Sequence, residues 1–400
     1  MRRISCVSAA LLASAVALPT FAQSLTENDF LENALKNHPT SAVAQAELAA
    51  ATGQRRQAGV FSNPGISWER EDPDLAARQD TWSLSWRLPF DGRKHRLAEA
   101  DASVAASQAM IDATLLNVRL ELRELFAAWY VASEREDALK NHLDTTRRLA
   151  EWLRVRADQG EAAGVEAQRL ELEVEVLDRQ LAEASAEARA RRASVAAWSD
   201  LVTAVTRPSR PALAPPPSSA DLAGRPDLLA LEHKVAQTEA RQRLSKRMLG
   251  PPEVSLGWTE LRDATQSFDG PVFGVTWPVP VFDRNQGSRE AAAAEVDRSR
   301  ALADAARLRA REHTEAALAS YSTLYSSLTA IRRSSDSGEV ADSVTAAFEA
   351  GEASLTDILD TLRTTVDVQL ARLESLAAAL SAGRELEAAL GRPILPGGSS

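Results

Sequence analysis

The side chains able to do chemistry are few in this chain and poorly placed for catalysis. Five histidines, His38, His95, His142, His233 and His313, are scattered along 400 residues, with no pair at the i, i+4 spacing that puts two imidazoles on one helix face for a metal. The one cysteine, Cys6, has no Cys/His companion to build a zinc site. A Gly-x-Ser-x-Gly elbow, a phosphate-binding loop and a His-Glu-x-x-His run are all missing from the sequence. Neither an enzyme nor a resident metal or cofactor is expected. One carboxylate pair, Asp357 and Asp360, three residues apart, shares one helix face and could attract cations there, although alone it reads better as a solvated face of an acidic protein. The balance of 46 basic against 56 acidic residues, a formal net charge of −10, argues against nucleic acid as a partner.

The elements that would carry such residues begin after a targeting segment. Arg2 and Arg3 form a positive start, residues 4–18 an apolar run, and Thr20-Phe21-Ala22 a cleavage site before Gln23, so residues 1–22 read as a secretory signal rather than structure. Cys6 stands too early to accept a lipid and leaves with the signal, and losing two arginines takes the charge from −10 to −12. No apolar stretch approaching 18 residues follows, so an exported chain of this kind can cross a membrane only as a closed β-barrel.

The chain then repeats itself once. Trp86 and Trp277 stand 191 residues apart in similar settings, as do Gly160-Glu161-Ala162 and Gly351-Glu352-Ala353, while His38-Pro39 and Arg225-Pro226 are offset by 187. The reading is two helix–hairpin–helix–helix units: residues 23–206 with a hairpin near 64–90, and residues 224–393 with a hairpin near 252–282. A Pro-rich joint at 207–223 (Pro208, Pro211, Pro215, Pro216, Pro217) separates them, and 394–400 form a flexible tail. The long segments are helical with a sustained seven-residue period: Leu97, Val104, Ile111, Val118, Leu125, Ala132 and Leu139 in the first unit, Leu359, Val366, Leu373 and Leu380 in the second. Such a period fits coiled-coil packing or an ordinary helical bundle, and the length of the segments favours the coiled coil. Residues 92–158, free of proline and of glycine after Gly92, would make a helix of roughly 100 Å.

The hairpins switch to a period of two. Trp82, Leu84, Trp86, Leu88 and Phe90 oppose Thr81, Ser83, Ser85 and Arg87; Phe273, Val275, Trp277, Val279 and Val281 oppose Gly274, Thr276 and Pro278. Together with Trp68 and Trp258 on the partner strands, this is the aromatic, apolar-out pattern of outer-membrane barrel strands, and residues 70–80 and 262–270 read as outward loops. Four strands per chain are too few to close a barrel, which takes about eight, so closure demands further copies.

The repeated helix–hairpin plan, the Pro-rich joint and the Gly-Glu-Ala turns resemble the TolC family of outer-membrane efflux proteins. Asn63-Pro64-Gly-Ile-Ser-Trp68-Glu69 and Leu88-Pro-Phe-Asp-Gly-Arg93-Lys94 resemble its heavy-metal, cobalt-zinc-cadmium branch. The resemblance implies a mainly α protein with a small β part, in a homotrimer whose twelve strands form one barrel in outer-membrane lipid above a periplasmic α-barrel. It further implies a passive duct serving a periplasmic adaptor and an inner-membrane proton-driven pump, with heavy-metal cations as cargo. By the same resemblance Asp357 and Asp360 would ring the periplasmic constriction, six carboxylates attracting cations. The tip residues Arg156, Asp158, Gly160, Glu161, Phe348, Gly351 and Glu352 would turn the helices and meet the adaptor, and Trp68, Trp82, Trp86, Trp258, Phe273 and Trp277 would face lipid. Family members can latch the closed tip with a Tyr and an Arg, where this chain has Phe348 and Ala353. A soluble periplasmic coiled-coil adaptor or scaffold is the alternative, and it leaves the alternating tryptophans unexplained.

Overall fold

A computed structural model describes residues 24–74, 77–88, 92–160, 163–205, 207–247, 250–263, 265–331, 337–350 and 352–394. The chain is mainly helical with one four-stranded sheet, as the periodicities require. Helix α1 (Glu27–Asn37) stops at His38, and the ring of His38 accepts the Thr40 N–H to cap α2 (Pro39–Ala58), with proline tolerated in its first turn. Strands β1 (Gly65–Asp74) and β2 (Ala77–Arg87) form the first hairpin. Then α3 (Arg93–Asp158) runs uninterrupted for 66 residues, about 99 Å at helical rise, and α4 (Gly164–Ala196) returns alongside it. A short α5 (Leu201–Ala204) precedes the proline-rich stretch. The second unit follows with α6 (Pro226–Ser245), β3 (Glu253–Asp263), β4 (Ser267–Thr276), α7 (Gln286–Ile331), α8 (Ser337–Glu349) and α9 (Leu355–Leu390).

The sheet order is β1-β2-β3-β4, antiparallel throughout, with β1 and β4 as edges that no described strand of the chain covers. Residues expected in loops, 70–74 and 77–80 in the first hairpin and 262–263 and 267–270 in the second, belong to strands. Charge pairing explains the difference, because Asp80 accepts from Arg70 across the ladder at 2.8 Å and from Arg78 along its own strand at 3.0 Å, and so zips a polar stretch into the sheet. In the other direction, β4 ends at Thr276, so Trp277, Val279 and Val281 are not strand residues as alternation suggested. Pro278 and Pro280 lack the N–H groups that a ladder needs. Phe90 lies outside the described residues, as does the segment read as the signal.

Heptad positions Ile111, Val118, Ala132 and Leu139 of α3 are buried, as are Leu359, Val366 and Leu380 of α9. One buried ion triad ties both ends of the chain to α3. Arg123 donates to Glu27 of α1 at 2.7 Å and to Glu387 of α9, all three side chains being at least nine-tenths buried. A guanidinium so deeply placed is tolerable because each face meets a carboxylate, and Glu387 also accepts the Ile394 N–H at 3.0 Å. The joint is pinned rather than loose. Leu25 bonds alongside it through Arg207 O and Ser209 N, and Tyr321 of α7 donates to Ala214 O at 2.5 Å.

Candidate functional site

Two places deserve the functional reading, and α3 holds them a helix-length apart. The first is the sheet. Its cross-strand rows are Ile66–Leu84–Leu256–Phe273, Trp68–Trp82–Trp258–Pro271 and Trp86–Val254–Val275, which places every one of these side chains on one face. That face is solvent-exposed: Ile66 by 81%, Trp82 by 58% and Phe273 by 76%. The opposite, more sheltered face carries Ser67, Ser83, Ser85, Thr81, Gly257, Ser255, Thr259 and Gly274. Small hydroxyl pairs bridge it, Ser67 to Ser83 at 2.7 Å and Thr81 to Thr259 at 3.0 Å. This inverts the arrangement of a water-soluble sheet, where the polar face meets solvent. Gly257 is needed there because a Cβ would approach the Trp82 carbonyl to 2.6 Å.

Indole donors sit at the two ends of the apolar band. Trp68 donates to Asp80 at 3.1 Å beyond the stacked Trp68–Trp82 pair, whose centroids are 5.8 Å apart. At the other end Trp86 donates to Ser62 O at 3.0 Å and Trp277 to Gly250 O at 3.1 Å. An apolar body with its polar tip turned to a band edge suits a ring at a lipid–water boundary. Phe61, Val279 and Phe282, close to the strands in sequence, are exposed as well. Among the described residues no helix is long and apolar enough to cross a membrane.

The second place is the pair of helical tips, which meet in one apolar cluster. Leu149 and Leu153 of α3, Ala167 and Leu170 of α4, Phe348 of α8, and Leu355, Ile358, Leu359 and Leu362 of α9 are buried together. The first tip turns at Gln159 and Gly160, whose φ of +76° needs glycine although open space surrounds it. Asp158 and Gly160 are exposed, Arg156 is half-buried, and Glu161 lies outside the described residues. At the second tip Glu352 is exposed with its N–H bonded to Ala347 O at 2.9 Å, and Gly351 lies outside the described residues. Phe348 departs from its expected role as a surface contact. It is buried against Trp152 at 5.5 Å between ring centroids, where a partner could not reach it.

Asp357 and Asp360 are both exposed on α9, on the side away from Leu359 and Leu362. Asp357 has a second duty that its sequence position also announces. It is the N3 residue of a capping box, accepting from Ser354 N at 3.1 Å while its own N–H donates to Ser354 Oγ at 3.3 Å. The Ser354 hydroxyl, then the Ser354 N–H, hold the Asp357 carboxyl below the usual carboxylate range. Asp360 has no such tie, and Asp367, seven residues on and overlooked in the sequence reading, extends the acidic stripe. Below the tips a groove of about 720 Å³ opens between α4 and α9 over α3, lined by His142, Glu173, Arg363 and Asp367 among others. Glu173 pairs with Arg363 across it. Burial pushes the His142 imidazole down, aided by Arg363, against the opposing pull of Glu173 and Asp367. Among the described residues no three His, Cys, Asp or Glu side chains come together to hold a metal ion.

Residues 218–392 match the outer membrane efflux protein family, a stretch that coincides with the second repeat. The chain is 26% identical over 370 residues to the cobalt-zinc-cadmium resistance protein CzcC of Cupriavidus metallidurans, covering 89% of this chain and 87% of that one. It superposes on the outer membrane protein VceC of Vibrio cholerae with a TM-score of 0.71 at 16% identity, over 92% of this chain and 97% of that one. The Campylobacter jejuni CmeC outer membrane channel gives 0.70 at 15% identity, over 98% and 94%. At these identities the two structures speak for the fold. The chain is thus similar in its second half to outer membrane efflux proteins, along most of its length to a metal-resistance protein, and in fold to outer-membrane channels.

Proposed function

We propose that three copies of this chain form a passive duct that carries heavy-metal cations out of the periplasm, taking them from an adaptor and an inner-membrane proton-driven pump. The observation that carries this reading is the four-stranded sheet with an exposed aromatic face and two open edges. A lipid solvent rewards that face, and only added strands can satisfy those edges. Twelve strands from three copies would close one barrel, with the Ser/Thr/Gly face lining its lumen. α4 supports the same assembly, since Val165, Leu172 and Val176 leave an apolar stripe exposed along it. The metal cargo follows the resistance protein named above and the acidic stripe of α9. In a trimer Asp360 would supply three carboxylates to a constriction, with Asp357 beside it, and weak rings of this sort pass cations rather than trap them. Exposed Asp158, Gly160 and Glu352 offer the adaptor a surface, and residues 1–22 act as the export signal of a non-lipidated protein.

The test is electrophoresis of outer-membrane fractions with and without boiling, followed by conductance in planar bilayers. A trimer band that collapses to monomer on boiling and a cation-selective current reduced in selectivity by Asp360→Asn are the expected results. A soluble periplasmic monomer would favour a coiled-coil scaffold instead.

A further inference from the structure

We propose that the junction between sheet and helices grips the headgroups of anionic phospholipids in the periplasm-facing leaflet, through a basic collar built once in each repeat. The inference rests on the duct reading and adds a lipid partner to it. Four helix ends meet one end of the sheet: α2 and α6 stop shortly before β1 and β3, and α3 and α7 start shortly after β2 and β4. These ends carry Arg56, Arg93, Lys94, Lys246, Arg247 and Arg284, all exposed. Residues 92–98 hold three arginines and lysines and no acid, and residues 240–252 hold four and no acid, in a chain whose acids outnumber its bases by 56 to 46. Helix stability does not account for this bias. α3 opens with Arg93, Lys94 and Arg96 and has no acidic residue in its first turn, the end at which the helix dipole disfavours cations.

Contacts set the collar against the aromatic edge of the sheet. Trp86 donates to Ser62 O at 3.0 Å, and the neighbouring Phe61 ring lies under the Arg93 guanidinium, whose carbon is 5.2 Å from the ring centroid. Arg93 also donates to Gly59 O at 2.9 Å. Gly92 brings the end of α6 to the same place, because a Cβ there would lie 3.0 Å from an Arg247 guanidinium nitrogen. Trp277 donates to Gly250 O, three residues past Arg247, and Asn285 before α7 donates to Ser245 O at 2.9 Å. The arrangement recurs at the 191-residue offset, which relates Trp86 to Trp277, Gly59 to Gly250, Arg56 to Arg247 and Arg93 to Arg284. Three copies would carry six such sites, each with an indole at the acyl boundary and cations just beyond it. A guanidinium fork matches a phosphate, and the long stems of Arg and Lys can lie along apolar rings while their heads reach water. Lys94 and Lys246 pair with no carboxylate among the described residues, so their charge is open to a partner. Charge alone would suit any anion. The bare rings beside it, Phe61 and Phe282, the latter exposed by 91%, favour an anion that brings acyl chains.

Native mass spectrometry of the detergent-purified trimer tests the collar, with phosphatidylglycerol and phosphatidylcholine of equal chain length as probes. The wild type should retain phosphatidylglycerol in preference to phosphatidylcholine, saturating near six lipids per trimer. K94Q/K246Q removes one cation from each site and should weaken phosphatidylglycerol retention roughly fivefold there, leaving phosphatidylcholine unchanged. R93Q/R284Q should do at least as much, and molar salt should erase the preference. K140Q/R148Q, which takes two exposed cations from α3 far from the sheet, should behave as wild type. The unheated trimer band serves as the folding control for each variant. A trimer that retains both lipids equally, an equal loss in K140Q/R148Q, or displacement of phosphatidylglycerol by millimolar inorganic phosphate would overturn the collar. A wild type that forms no trimer at all would overturn the duct reading, and the collar with it.

Discussion

The two repeats share a plan but divide its labour at the tips. Both send helix to the tip and bring one back, α3 and then α4 in the first unit, α7 and α8 and then α9 in the second. The returning helices differ. On α9, Leu355, Ile358, Leu359 and Leu362 are buried; their counterparts 191 residues earlier on α4 are Gly164, Ala167, Gln168 and Glu171, of which only Ala167 is buried. The start of α9 is fastened by the Ser354–Asp357 box, whereas Ala163 before α4 offers no side-chain cap. Helices at matching offsets are thus unequally buried, α9 being sandwiched in the tip cluster while α4 stays half bare. A sequence-level duplication therefore does not imply equal burial.

The largest effect should come from removing a side chain that only the second copy buries. Leu362→Ala leaves a cavity in the tip cluster and should cost about 2–5 kcal/mol. Glu171→Ala at the matching position of α4 should stay within ~0.5 kcal/mol. Denaturant titration of the two variants measures both, and equal losses would erase the proposed asymmetry.

The caps give the next contrast. Ser354→Ala removes the hydroxyl that receives the Asp357 N–H and should cost about 1 kcal/mol. Ala163→Ser should instead stabilise the first tip, because Glu166 already stands three residues on, where a capping box needs it. Limited proteolysis at the tips should become faster in the one and slower in the other. A pH effect is expected in the groove between these helices. His142 titrates below its ordinary value when folded, so between that lowered pKa and about 6.5 the unfolded chain binds more protons. Stability should therefore fall as pH drops through this window, and His142→Gln should flatten the profile. A wild type whose midpoint is unchanged between neutral and mildly acid pH would contradict the burial of that imidazole.

How much of this was legible beforehand depended on whether the signal was local. The sheet face was readable because alternation is a property of neighbouring residues, and Trp82, Leu84 and Trp86 declare it without help from the rest of the chain. The length of α3 was readable from the absence of proline. The strand ends were not, since Arg70 and Asp80 look like loop residues until they meet across the ladder. The Ser354–Asp357 box was present as a Ser-x-x-Asp signature, but Asp357 was read only as half of an acidic pair. The Trp152–Phe348 ring contact lay out of reach, because the two residues are 196 positions apart and nothing local to either announces the other.

The smallest effect on the protomer carries the most information about its neighbours. On α4, Val165, Leu172 and Val176 are exposed by 75%, 65% and 45%, at spacings that keep a seven- and four-residue rhythm. A monomer gains nothing from such a stripe. Leu172→Asp should therefore shift the stability of the isolated chain by no more than ~0.5 kcal/mol. In an assembly of three the same change would bury a carboxylate against a neighbouring apolar helix, and the unheated gel should lose its trimer band. If the band persists, the bare side of α4 faces water, and the inequality between the two returning helices is a matter of each chain alone. If it vanishes, the copy that looks unfinished in one chain is finished by the next.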